Sequence, residues 1–173
     1  MRNHIASLFL MTLLAACGSP PAKPPADPAS DFKALGIAHA SAPMPNVYCS
    51  GQPTKEQFQK LRAAGVQRFI TLRPANEEGS GWEEQVGAEL GIAVTRIPVA
   101  GPKDLTPANV ALLQQAMADG ACTLVACGSS NRVGAMMALK ARAEGSNADA
   151  ALAFGKVCGL TRLEPQVREL LAK

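Results

Sequence analysis

The sequence predicts an α/β fold, with a mostly parallel sheet of about four to five strands flanked by helices. Short apolar runs rich in β-branched and aromatic residues alternate along the chain with segments of helical length. Several of these segments open on a capping residue and close on a glycine. Because this order favours strands joined by crossover helices, ligands are expected at the carboxyl ends of the strands.

The first two strands and the helix between them are predicted from local signals. Residues 47–50 form the first predicted strand, and Thr54 with Gln57 predicts a capping box at the start of the next helix. The second strand covers residues 69–72 and stops at Pro74, which cannot continue the hydrogen-bonded ladder.

The remaining elements follow the same order. A helix with Trp82 on its apolar face ends at Gly91, and a third strand is predicted over residues 92–99. Thr106 and Pro107 provide the N-cap and first-turn proline of the next helix, and residues 123–126 form the fourth strand. Three later helices are predicted over residues 132–143, after a cap at Ser146, and after Pro165.

The N-terminus has the pattern of an export signal. Arg2 is followed by the apolar run 5–14 and then by Leu-Ala-Ala-Cys17, which resembles the lipobox of bacterial lipoproteins. That resemblance implies removal of residues 1–16 and a lipid on Cys17. Gly18 then favours anchoring in the outer membrane with the domain facing the periplasm. An ordinary secretory signal or a short membrane anchor is the alternative.

A proline- and alanine-rich segment follows the predicted lipidation site. Residues 17–31 are therefore interpreted as a tether, because this composition stays extended and cannot bury a core. Residues 32–173 remain, which is enough for one domain and too few for two.

Composition argues against nucleic acid as a partner. The chain has 17 Lys and Arg against 14 Asp and Glu, a formal charge of +3, and only five Phe, one Trp and one Tyr that could stack on bases. His39 has no second ligand at metal spacing, so no metal site and no cofactor are predicted.

Five cysteines are present, and Cys17 is assigned to the lipid. A disulfide between Cys122 and Cys127 is excluded if the two residues flank one strand, because the ends of such a strand lie roughly 16 Å apart. Whether Cys49, Cys122 and Cys158 pair among themselves stays open.

The segment from Cys127 to Arg132 is the strongest candidate site. It places a cysteine directly after an apolar strand, then the small residues Gly128, Ser129, Ser130 and Asn131, and then an arginine where a helix begins. Loop amides, a helix N-terminus and a guanidinium together favour a phosphate-like anion above a thiolate nucleophile. Ordinary turn residues after a buried cysteine are the simpler alternative.

Several separated motifs resemble the cysteine-based dual-specificity phosphatases, in the bacterial branch that is also found fused to metallo-β-lactamase-like hydrolases. The resemblance covers most of residues 46–170. It rests on these stretches: Tyr48 with Ser50-Gly51-Gln52-Pro53-Thr54, Thr71-Leu72-Arg73-Pro74 with Glu77-Glu78, Ile97-Pro98-Val99 with Leu105-Thr106, and Cys127 to Gly134. From the residues themselves, Arg73 is expected to be a solvated strand end or a partner of Glu77 or Glu78, rather than an anion ligand.

The resemblance implies a role for each residue. Cys127 would attack phosphorus, Arg132 would grip two phosphate oxygens, and the amides of residues 128–132 would bind the remaining charge. Asp104, on the loop after the third strand, is the candidate general acid. The implied substrate is a phosphorylated small molecule or protein.

Two departures from the family pattern keep other functions open. Four residues separate Cys127 from Arg132, a short loop that rhodanese sulfurtransferases share, whereas the larger superfamily has five. Ala126 stands where the family usually has a histidine. A rhodanese-like sulfurtransferase and a catalytically degenerate anion-binding or scaffold module are the two alternatives.

Overall fold

The computed structural model describes residues 28–173. The predicted signal peptide and the lipidation site at Cys17 lie outside these residues. Within the described part of the chain, no helix is both long and apolar enough to cross a membrane.

A single five-stranded sheet forms the centre of the described domain. Its spatial order is β1-β2-β5-β3-β4, in which β1 is antiparallel to β2 and all other pairs are parallel. The predicted fold class is confirmed. The strands are β1 (Ser41–Met44), β2 (Val47–Ser50), β3 (Arg68–Thr71), β4 (Ala93–Arg96) and β5 (Thr123–Ala126).

Helices cover both faces of this sheet. They are α1 (Pro28–Ala34), α2 (Lys55–Leu61), α3 (Glu83–Leu90), α4 (Pro107–Met117), α5 (Asn131–Ala143), α6 (Ala148–Val157) and α7 (Glu164–Leu171), and a short 3-10 turn covers Pro102–Asp104. The predicted capping box of Thr54 and Gln57 is present, as is the Thr106 cap with Pro107 behind it.

Alternation along the strands separates two buried clusters. Cys49, Ile70 and Val125 point to one face, where they pack with α4 to α7. Their strand neighbours Phe69 and Leu124 point to the other face, where they pack with α1, α2 and α3. Cys127 belongs to the first cluster, so it lies on the side of α5 and α6.

The structure differs from the sequence prediction in four places. The hairpin strand β1 was not predicted. Helix α1 begins at Pro28, ahead of the predicted domain start at residue 32. Its Phe32 is buried and stacks on Tyr48 with ring centroids 4.2 Å apart, so the helix packs against the domain. Strand β4 is shorter than the predicted run 92–99. The N-cap of α6 is Asn147, whose side chain accepts a hydrogen bond from Ala150 N–H, and not Ser146.

The register places the ends of the four parallel strands at one level. Ser50 pairs with Ala126, Ala126 with Thr71, and Thr71 with Arg96. The loops that follow these residues therefore meet at the same edge of the sheet. All the candidate catalytic residues lie in these loops or at the start of α5.

Candidate active site

The loop after β5 turns sharply into α5. Cys127 is fully buried, and its N–H donates to the Ser50 carbonyl of the neighbouring strand at 3.3 Å. Ser130 adopts a left-handed conformation with φ 61°, which is uncommon for a residue other than glycine. Its hydroxyl donates to the Cys158 carbonyl at 2.8 Å, which holds this turn against the end of α6.

Helix α5 directs its N-terminus at the edge of the sheet where the loops meet. It has 13 residues, and the first N–H groups of a helix have no partner within it. Together with the positive end of the helix dipole, these amides favour an anion at this place. The loop of residues 128–130 and the start of α5 therefore have the polarity of an anion site.

Asn131 anchors the turn between α6 and α7. Its side-chain Oδ1 accepts hydrogen bonds from Thr161 N–H at 2.9 Å and Leu163 N–H at 3.2 Å, and another from the Thr161 hydroxyl at 3.2 Å. Asn131 was predicted as a phosphate-loop residue. The structure shows that its side-chain oxygen bonds to residues 161 and 163, while the residue itself lines the cleft described below.

Arg132 is held by two other loops. Its Nη1 and Nη2 donate to the two carboxylate oxygens of Glu77 at 2.7 and 2.8 Å, and Nη1 also donates to the Val99 carbonyl at 2.9 Å. A guanidinium has five N–H groups, and these bonds use three of them. Nε–H and one Nη2 hydrogen make none of these three bonds, and they form an edge suited to a bidentate phosphate.

Charges around Arg132 reinforce this arrangement. The hydrogen bonds that Arg132 donates to Glu77 raise the pKa of Arg132, and attraction to Cys127 raises it further. A hydrogen bond with the Cys127 side chain acts in the same direction, so the guanidinium lies close to the sulfur. Arg132 is therefore a fixed cation beside the candidate nucleophile.

Glu77 is a site residue whose role the sequence did not reveal. It also accepts a hydrogen bond from Arg73 Nε at 2.7 Å. The hydrogen bonds from Arg132 and Arg73 bring the pKa of Glu77 down to about 2, because they outweigh burial, which raises it. Glu77 therefore stays ionised at neutral pH and orients the Arg132 guanidinium.

Arg73 stabilises the loop that carries Glu77. Only 7% of Arg73 is exposed, and its guanidinium donates to the Glu78 carbonyl and to the Gly79 carbonyl, the latter at 3.2 Å. The predicted pairing with Glu77 is confirmed. The alternative of a solvated strand end is wrong, because the loop that follows β3 folds back over the side chain.

Asp104 lies on the expected loop, with its carboxylate directed at the backbone. Its Oδ2 accepts hydrogen bonds from Ala100 N–H at 2.8 Å and Gly101 N–H at 3.2 Å. Its own carbonyl accepts a hydrogen bond from the Asn109 amide at 2.8 Å. In this conformation the carboxylate stabilises the turn of its own loop.

A cleft of about 500 Å³ opens over the loop that joins β5 to α5. Asp104 and the fully buried Cys127 are not among the residues that line it. The lining residues are Glu77, Ala100, Gly101, Pro102, Gly128, Ser129, Asn131, Arg132, Arg162 and Leu163. The structure thus brings Gly128, Ser129, Asn131 and Arg132 together at one cleft, with Ser130 buried beneath them.

The four cysteines of the described residues are free thiols. Cys49, Cys127 and Cys158 belong to the same buried cluster, whereas Cys122 is half-buried in a different part of the domain. A hydrogen bond to Cys158 and burial raise the pKa of Cys49 well above its ordinary value. Cys49 is thus a poor nucleophile beside the loop.

Solved structures share this fold. No protein-family model matches the sequence, and no curated protein matches it. A presumed phosphatase (DUF442) from Shewanella putrefaciens CN-32 superposes with a TM-score of 0.64 at 23% identity, covering 82% of this chain and 92% of that one. A presumed phosphatase from Neisseria meningitidis Z2491 has a TM-score of 0.62 at 24% identity, covering 76% and 94%.

A eukaryotic enzyme has the same architecture. The core catalytic domain of the PP-IP phosphatase Siw14 from S. cerevisiae superposes with a TM-score of 0.57 at 16% identity, covering 78% of this chain and 86% of that one. At such identities the likeness concerns the fold. The chain therefore has a phosphatase-like α/β fold, and its cysteine loop lies at the carboxyl edge of the sheet.

Proposed function

We propose that this protein is a cysteine-dependent phosphatase that hydrolyses phosphoesters without a metal. The observation that carries the proposal is the setting of Arg132. Glu77 and the Val99 carbonyl fix its guanidinium, and the edge formed by Nε–H and the second Nη2 hydrogen lies beside Cys127. The phosphatase-like fold supports the same conclusion.

The proposed reaction has two steps. The Cys127 thiolate attacks phosphorus, an S–P bond forms, and the P–O bond to the leaving group breaks. Arg132 and the amides of residues 128–132 bind the phosphoryl oxygens as charge builds on them. Water then attacks the thiophosphate, which releases inorganic phosphate and restores the thiolate.

Asp104 is the proposed general acid. In the first step its proton goes to the leaving oxygen, and in the second its carboxylate takes a proton from the attacking water. The carboxylate must leave the amides of Ala100 and Gly101 to do so. Because those two residues line the cleft, a rotation within the loop is the motion required.

The proposed subclass is the dual-specificity type, acting on a phosphorylated protein or small molecule. We also propose that the chain is a lipoprotein, anchored through Cys17 to the outer membrane with the domain in the periplasm. Expression in a Gram-negative host tests this placement. The wild type should fractionate with outer membranes and Cys17→Ser should not; equal distribution of both would contradict the anchor.

The activity test compares full-length proteins purified in detergent with an aryl phosphate as substrate. We expect turnover by the wild type and by Cys122→Ser, a matched thiol outside the cleft, and no turnover by Cys127→Ser. Equal turnover rates of the wild type and Cys127→Ser would overturn the mechanism. Transfer of sulfur from thiosulfate to cyanide, with a persulfide on Cys127, would instead identify a sulfurtransferase.

Two observations favour the anion-binding alternative. The Asp104 carboxylate is occupied by backbone amides, and Ala126 provides no polar group below the loop. A degenerate module would bind inorganic phosphate through Arg132 and hydrolyse nothing. Phosphate binding that is lost in Arg132→Ala, together with no turnover by the wild type, would establish that function.

A further inference from the structure

Arg162 lies in the candidate cleft and has no role in the proposed reaction. It is exposed, on the turn between α6 and α7, and it lines the same cleft as Arg132. Within residues 28–173 its guanidinium has no hydrogen bond and no carboxylate partner. By contrast Arg132, in the same cleft, is paired with a carboxylate, as are Arg73 and Arg96 elsewhere in the domain.

The backbone around Arg162 is tied to the phosphate loop. The N–H groups of Thr161 and Leu163, on either side of it, both donate to Asn131 Oδ1. Asn131 immediately precedes Arg132 in the chain. The backbone of Arg162 is therefore held at a fixed place relative to the Arg132 site, which lowers the ordering cost when its side chain binds a ligand.

The charge of the cleft is not balanced at Arg162. Glu77 is the acidic residue among the lining residues, and it is already bonded to Arg132 and Arg73. Arg162 therefore adds a positive charge that no carboxylate of the described chain offsets. An anion bound at Arg132 would leave this second cation available.

Apart from the polar Ser129 and Asn131, the rest of the lining is small or aliphatic. Ala100, Gly101, Pro102 and Leu163 line the cleft, and no lining residue is aromatic. A flat aromatic substrate group would thus find no ring to stack on. The cleft suits a compact molecule better than a phosphorylated aromatic side chain.

We propose that Arg162 binds a second anionic group, a carboxylate or a phosphate, on a small substrate whose phosphoester lies at Arg132. This inference rests on the proposed function for the reaction at Cys127. An arginine fork binds either group through paired hydrogen bonds. The two cations thus select small phosphoesters that carry two anionic groups.

The test uses matched pairs of probes. Glycerol 3-phosphate and 3-phosphoglycerate differ by the carboxylate, and fructose 6-phosphate and fructose 1,6-bisphosphate differ by the second phosphate. Binding to full-length Cys127→Ser protein is measured by calorimetry, and kcat/KM is measured with the wild type. At least one doubly anionic probe should bind about 5- to 20-fold more tightly than its matched partner.

Arg162→Ala should remove that preference and leave binding of the singly anionic probes within about twofold. Arg168→Ala is the matched control, since it removes an exposed arginine from the same region that does not line the cleft. An equal loss in both variants would indicate a general field effect and overturn the subsite. The absence of any preference in the protein with Arg162 intact would overturn it as well.

The two proposals fail in different ways. If no probe and no aryl phosphate is hydrolysed while the binding preference depends on Arg162, the phosphatase proposal fails and the second subsite stands. If turnover depends on Cys127 but Arg162→Ala changes neither binding nor kcat/KM, the second subsite fails and the phosphatase proposal stands. The carboxylate pair and the phosphate pair together show which second group the site accepts.

Discussion

Replacing Glu77 by glutamine keeps the shape of the side chain and removes the charge that holds Arg132. The carboxylate accepts both Nη groups of Arg132 and the Nε of Arg73, so it links the loop after β3 to the start of α5. An amide offers one oxygen to these donors and presents N–H groups to the other. We therefore expect the variant to weaken the fold and to misplace the Arg132 guanidinium.

The pKa of Glu77 sets the size of the effect on stability. A fall from 4.5 to about 2 corresponds to about 3 kcal/mol at most. Because the side chain is 31% exposed, solvent screening reduces this to about 1 to 2 kcal/mol. A lowered carboxyl pKa stabilises the fold above the unfolded value near 4.5, and this contribution is lost as the pH falls through about 2.

Urea unfolding of full-length Glu77→Gln at several pH values measures this contribution. We expect a loss of about 1 to 2 kcal/mol at pH 7, and a smaller deficit as the pH is lowered below about 4.5 towards 2. Turnover of an aryl phosphate should fall about 10- to 100-fold at neutral pH, because a displaced guanidinium no longer fits the phosphoryl oxygens.

Glu78→Gln is the matched control. The Glu78 side chain is exposed, and only its backbone carbonyl bonds to Arg73. This variant should unfold and turn over as the wild type does. The reasoning is refuted if the Glu77 and Glu78 variants behave alike, or if the deficit of Glu77→Gln stays constant as the pH falls.

Three further variants test other parts of the structure. Asp104→Asn should slow hydrolysis of an alkyl phosphate by about 100-fold or more and affect an aryl phosphate with a good leaving group less; equal slowing of both substrates would remove the acid role. Asn131→Ala loses three hydrogen bonds to the α6–α7 turn, so thermal unfolding should show a loss of about 1 to 3 kcal/mol, whereas unchanged stability would contradict the anchoring role. Gly134→Ala would force a Cβ into the backbone of Leu160, so it should destabilise the fold by more than about 3 kcal/mol or prevent folding. Gly101→Ala, with open space at its Cβ, is the control and should be tolerated in the same assay.

Elements with local signals could be predicted from the sequence. The Thr54 capping box, the Thr106 cap and the strand at residues 123–126 all appear where short-range chemistry placed them. Strand β1 could not be predicted, because it is a four-residue edge strand that contains Pro43. Its partner in the sheet, β2, provides the pairing that the local sequence does not signal.

The site divides in the same way. The loop from Cys127 to Arg132 is contiguous, so its order of residue types could be recognised directly. The bonds between Glu77 and Arg132 join residues 55 positions apart, and they exist because β3 and β5 end at the same level of the sheet. The place of Arg162 depends on the packing of the α6–α7 turn against Asn131, for which no spacing pattern exists.

Direct detection of the covalent intermediate tests the central claim, which is that Cys127 is the nucleophile of a phosphatase. Full-length protein is mixed with an aryl phosphate, quenched in acid within the first turnover, and analysed by mass spectrometry of the peptide that contains Cys127. We predict one phosphoryl group on Cys127 in the wild type and none in Cys127→Ser, with more accumulating in Asp104→Asn if hydrolysis of the intermediate is slowed. Release of phosphate at an unchanged rate by Cys127→Ser, with no phosphoryl group on the wild-type cysteine at any time, would contradict the claim.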